Sequence, residues 1–141
     1  MKILVMSRYQ AENEVPPAVP YAHLSMLAPG HRTQLPIAAH RVATLSLEFD
    51  DVREEQDEGS TLQAISDEQA REIVLFVQDL PPTVEILICQ CHAGISRSSG
   101  AAVAISRMLG LDDTWILENP NFSPNPLVRD KILLAALVER G

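Results

Sequence analysis

The chain has 141 residues, 46% of them hydrophobic and 21% charged, which predicts one domain over 1–141 with its own core. With 11 Lys+Arg against 19 Asp+Glu the formal net charge is −8, a balance that argues against nucleic acid or a membrane surface as partner. Two cysteines, an opening apolar run too short for a secretory signal and no segment able to span a bilayer predict a reducing, cytoplasmic setting.

Taken in order, Lys2 to Ser7 is a non-alternating apolar run and reads as a strand buried on both faces. Tyr9 to Pro20, with three prolines, is a loop or short irregular helix. Tyr21 to Leu27 is a second strand ended by Ala28-Pro29-Gly30, and His31 to His40 best suits a helical turn. Val42 to Phe49 alternates, with Ala43, Leu45, Leu47 and Phe49 on one side, and is a half-buried strand. It ends in Asp50-Asp51 and an acidic, solvated loop to Thr61. Ser66 and Gln69 form a capping box for a helix whose stripe is Ala70, Ile73, Val74, Val77 and Leu80, stopped by Pro81-Pro82. Val84 to Cys89 is a buried strand, and Ser98 to Leu109 an apolar helix capped by Gly110. Asp112-Asp113 caps a short helix carrying Trp115, a core candidate. Asn125-Pro126 opens a last helix with the stripe Val128, Ile132, Leu133, Ala136 and Leu137.

The chemistry concentrates between the buried strand and the helix after it. Cys91 stands at the carboxyl end of that strand, and His92, Ala93, Gly94, Ile95 and Ser96 form a short loop to Arg97 and Ser98. Such a junction collects unpaired backbone N–H groups and the positive end of a helix dipole, and so binds oxyanions. These groups and Arg97 favour a thiolate nucleophile at Cys91. Arg97 can offer two parallel N–H bonds to a phosphate, and Ser98 can donate to the sulfur. Cys89, two residues earlier, is expected to be core. A Cys89–Cys91 disulfide would fight extended geometry. No His or Cys pair stands at metal-ligand spacing, since His23, His31, His40 and His92 are scattered, so neither metal nor cofactor is expected.

Cys91-x-Ala-Gly-Ile-Ser-Arg-Ser resembles the signature loop of the cysteine-dependent protein tyrosine phosphatase superfamily, closest to its compact dual-specificity and bacterial members. Many members carry a histidine before the cysteine, where this chain has Gln90. The resemblance implies a general acid on the loop leaving the strand that ends at Phe49. Asp51, forty residues before Cys91, matches best, while the long loop keeps Asp50 and Asp57 in play. It also places Asn125 near the active-site face, although capping alone explains that residue.

Strands alternate with helices, so the fold expected is α/β, one four- or five-stranded, mostly parallel sheet with helices on both faces. The function implied is hydrolysis of phosphate monoesters through a cysteinyl-phosphate on Cys91. His92 to Arg97 would hold the phosphate, Asp51 would act as acid, and Ser98 would ease release of the thiolate. The partner would be a phosphorylated protein or a small phosphate ester. Two alternatives share the loop: a rhodanese-type sulfurtransferase and a phosphate-binding pseudophosphatase.

Overall fold

The computed structural model describes residues 1–140. Nine elements follow in order: β1 (Lys2–Met6), α1 (Arg8–Asn13), β2 (Tyr21–Leu27), β3 (Arg41–Glu48), α2 (Asp67–Gln78), β4 (Ile86–Gln90), α3 (Arg97–Leu109), α4 (Thr114–Leu117) and α5 (Pro126–Arg140). The four strands form one all-parallel sheet in the order β1-β4-β2-β3. Gln90, the last residue of β4, lies level with Met6 and Ser25. The carboxyl ends of three neighbouring strands therefore converge where Cys91 begins its loop. That is where ligand-binding loops leave open α/β sheets.

Alternation along the central strands sorts their side chains into two layers. Ala22, Leu24, Met26, Leu87 and Cys89 join the apolar core with α2, α3 and α5. His23, Ser25, Ile88 and Gln90 face the other way. There α1, the Val15–Pro17 stretch and Leu35-Pro36 border a cleft that reaches His23 and Ile88. Helix α3 is the innermost helix: every residue from Arg97 to Ser106 is buried. It packs on β1, β4, α4 and α5, and it ends at Gly110 as predicted. The Ser66–Gln69 capping box is present in both directions, and Ala70, Ile73, Val74 and Val77 are buried beneath it.

Four expectations are corrected. β1 buries only Ile3 fully, because it is an edge strand with β4 alone beside it. His31 to His40 holds no helical turn and runs as irregular chain over the polar layer of the sheet. Trp115 is 39% exposed while Ile116 is fully buried, since a one-turn helix can turn only one of the two inward. Its indole instead meets Phe122 edge-to-face, centroids 6.2 Å apart. Leu137 lies on the outer face of α5, and Val128, Ile132 and Ala136 carry its buried stripe. The stretch from Tyr9 contains α1, whose start is fixed by a Ser7–Gln10 capping box.

Candidate active site

The loop from Cys91 to Ser96 is shaped by where its carbonyls go. Gln90 Nε2 donates to the Cys91 carbonyl (3.0 Å) and Arg8 N to that of His92 (3.0 Å). The Ile95 carbonyl accepts from Ser123 N (3.0 Å), and that of Ser96 from Asn125 N (3.0 Å) and Gly100 N (2.9 Å). Ser99 Oγ adds a bond to each of these last two carbonyls. In a trans peptide the C=O and the following N–H point in opposite directions. Four carbonyls drawn outward by the scaffold thus turn the N–H groups of His92, Ala93, Ser96 and Arg97 to the inner side. Among the described residues, none of the backbone N–H groups from His92 to Ser96 donates to another backbone group. The result is a concave row of donors at the start of α3, an anion-binding shape.

Gly94 makes the curvature possible. Its φ is +72°, and a Cβ there would stand 2.6 Å from Ser7 N and 2.7 Å from Met6 C. The loop can lie against the β1–α1 junction only because no side chain intervenes. Cys91 N donates to Met6 O (3.3 Å) and fastens the same edge.

The structure brings the side chains of Cys91 and Ser98 together. Cys91 Sγ lies 3.1 Å from Ser98 Oγ, both buried. Arg97 is 7% exposed. Its Nη1 donates to Phe49 O (2.8 Å), while its Nε has no partner among the described residues. A buried guanidinium N–H without an acceptor is costly unless a ligand supplies one. His92, Ala93 and Ile95 are exposed on the rim, and the His92 ring sits 5.9 Å from that of His31. Cys89 lies on the core side as expected, its thiol pushed up to about 12, first by burial and then by the neighbouring Cys91.

The three candidate carboxylates separate clearly. Asp51 Oδ1 accepts from Ser96 Oγ (2.8 Å) and from Asn125 Nδ2 (2.8 Å), so this carboxylate is pinned to the cradle. Asp50 faces its own loop, its Oδ2 accepting from Gln63 N (2.7 Å). Asp57 stays in the exposed acidic loop and caps Ser60 N through its carbonyl. Asn125 does more than cap. Its Oδ1 accepts from Val128 N (3.0 Å) to start α5, while its Nδ2 also reaches Val52 O (3.0 Å).

Sequence reasoning missed Arg53. Its Nη1 donates to Ser96 Oγ (2.9 Å) and Ser123 O (3.2 Å) and its Nη2 to Pro124 O (3.3 Å), clamping the acidic loop to the cradle and to the segment before α5. The available signal was its position as the one cation between Asp50 and Glu58. Among the described residues no three His, Cys, Asp or Glu side chains group to hold a metal ion, and no helix is long and apolar enough to cross a membrane.

No family model matches the chain, and no curated protein matches it in sequence. Among solved structures it is similar to human DUSP28, with a TM-score of 0.62 and 16% identity over 98% of this chain and 93% of that one. It is also similar to PTPMT1 in complex with PI(5)P, with a TM-score of 0.56 and 14% identity over 97% and 91%. Both are cysteine-based phosphatases. The chain has the fold of these cysteine-based phosphatases. In this phosphatase fold the Cys91 loop sits at the carboxyl edge of the sheet, with α3 leading away from it.

Proposed function

We propose that the chain hydrolyses phosphate monoesters through a cysteinyl-phosphate. The observation that carries this is Arg97: a buried guanidinium tied at Nη1, unpaired at Nε, and first residue of the helix that follows the inward N–H groups. That set matches the oxygens of a phosphoryl group. Cys91 Sγ attacks phosphorus, forming the S–P bond as the P–O bond to the leaving group breaks. Asp51, held through Oδ1 by Ser96 and Asn125, passes a proton to the departing oxygen. Water then attacks phosphorus, Asp51 takes its proton, and the S–P bond breaks with the Ser98 hydroxyl donating to the released thiolate. Every bond change is thus covered by residues of this chain.

The fold likeness favours this reading over rhodanese-type sulfur transfer. PTPMT1 carries PI(5)P in its complex, so phosphoinositides belong with phosphopeptides among the esters to try. The test is hydrolysis of para-nitrophenyl phosphate in EDTA by the wild type and Cys91→Ser. Turnover lost in the variant, with orthovanadate binding retained, is the expected result. A folded, reduced wild type that neither turns over nor binds vanadate would overturn the proposal, and thiocyanate formation from thiosulfate and cyanide would point to sulfur transfer.

A further inference from the structure

Behind the cradle lies a polar chain, buried except at its half-buried Thr33 end, that the proposed chemistry does not use. Gln90 is completely buried at the end of β4. Its side chain meets three groups: His23 Nε2 at 2.9 Å, Thr33 Oγ1 at 3.0 Å and the Cys91 carbonyl at 3.0 Å. Ser25 Oγ lies 3.0 Å from Thr33 Oγ1. A carbonyl only accepts, so the amide N–H must face Cys91 and Gln90 Oε1 must face the other two. His23 therefore carries its proton on Nε2. Thr33 gives its proton to Gln90 and must accept the one from Ser25. Every bond in the set then points in one sense, toward the Cys91 carbonyl. The burial that holds the His23 ring below the ordinary histidine range, partly opposed by the bond to Gln90, keeps it a neutral donor at neutral pH.

We infer that His23, Gln90 and Thr33 are positioning residues for Cys91, acting as a donor chain that holds the Cys91 carbonyl outward. The loop's construction requires such a hold. The His92, Ile95 and Ser96 carbonyls are each drawn outward by a backbone N–H. The Cys91 carbonyl, nearest the sulfur, is held by the Gln90 side chain. Losing that grip frees the Cys91–His92 peptide to rotate, which turns a carbonyl dipole toward the sulfur and a cradle N–H away from it. An aligned chain polarises its last donor, and in a site shielded from water that strengthens the hold. His23 comes from β2 and Thr33 from the irregular segment after it, so the stretch spanning His31 to His40 serves the site by letting Thr33 close the set.

This inference rests on Cys91 being the reactive thiol, and its readout does not depend on phosphatase turnover. Alkylation of Cys91 by iodoacetamide, followed by mass spectrometry across pH, reports the thiolate directly. His23→Leu is expected to move the rate–pH profile upward by about one unit, and to lower kcat on para-nitrophenyl phosphate about tenfold at little cost in KM, the size of one hydrogen bond. His23→Gln, which returns an N–H near the Nε2 position, is expected to restore both. Should His23→Leu fail to fold, the near-isosteric Thr33→Val takes its place, with a shift in the same direction of about threefold in rate. Wild-type profiles in a folded His23→Leu or Thr33→Val, or no rescue by His23→Gln, would overturn the donor chain. An alkylation shift in a protein without phosphatase turnover would uphold it and remove the proposed reaction instead.

Discussion

Gly100 lies one turn into α3, and its smallest replacement tests how the proposed acid, Asp51, is held. Helix propensity alone makes Gly100→Ala stabilising by about 1 kcal/mol. A Cβ at that position, however, would stand 2.6 Å from Asn125 O and 2.9 Å from Asn125 N. Ordinary contact begins near 3.4 Å, so the two backbones must separate by about 0.8 Å, the difference between 3.4 and 2.6 Å. Overpacking of this kind costs about 1–3 kcal/mol, which cancels or exceeds the propensity gain. The net expectation is a protein of equal or lower stability, by up to about 2 kcal/mol. The functional effect is sharper, because Asn125 Nδ2 holds Asp51 at 2.8 Å. A displacement near 1 Å at a reacting group can cost about 100-fold. Urea unfolding reads the stability. Rates on an alkyl phosphate against para-nitrophenyl phosphate read the acid, since the good leaving group needs little protonation. A Gly100→Ala protein about 1 kcal/mol more stable than wild type, with unchanged rates on both esters, would refute this coupling.

Three further outcomes are expected. Asp51→Asn should slow the alkyl ester by about 100-fold or more and para-nitrophenyl phosphate far less, whereas Asp50→Asn and Asp57→Asn should leave that ratio unchanged; ratios for the three variants against wild type check this. His23 titrates below its ordinary range because of burial, so on acidification from about pH 6.5 the unfolded chain takes up a proton that the native protein refuses. Stability should therefore fall as pH drops below about 6.5 and level out once the native ring is protonated too. Urea midpoints between about pH 5 and 7 should fall less steeply in His23→Gln. Cys89, pushed up to about 12, should resist iodoacetamide in the native state at neutral pH, so peptide mapping should find one labelled cysteine, and two only after denaturation.

The parts of the fold that could be read from the chain are those encoded within a few residues. Ser66 and Gln69 cap each other across one turn, Val42 to Phe49 shows its period directly, and Cys91 to Ser98 carries nucleophile, turn and clamp in a single run. What escaped is pairing across long separations. Arg53 looked like part of a solvated acidic loop until the fold placed Ser123 and Pro124 beside it. His23 and Gln90 looked unrelated, although a His and a Ser two apart in an apolar strand already share one face and hint at a buried polar layer. Trp115 shows that size does not decide burial when a short helix has one inward position. The contact that sets Asp51 apart from Asp50 in the fold reaches across 74 residues, to Asn125.

That contact also orders events in time. The Cys91 loop is fastened from both sides in sequence: Arg8 N and the Gln90 side chain hold the carbonyls of His92 and Cys91, while Ser123 N and Asn125 N hold those of Ile95 and Ser96. The tether of Asp51 is completed by a residue made later, Asn125, whose own place depends on the start of α5. A chain emerging from the ribosome has therefore made Cys91 and Arg97 before it has made the residues that fasten their loop and the Asp51 carboxylate. The polypeptide's closing segment thus works as a single latch for the loop and the carboxylate together.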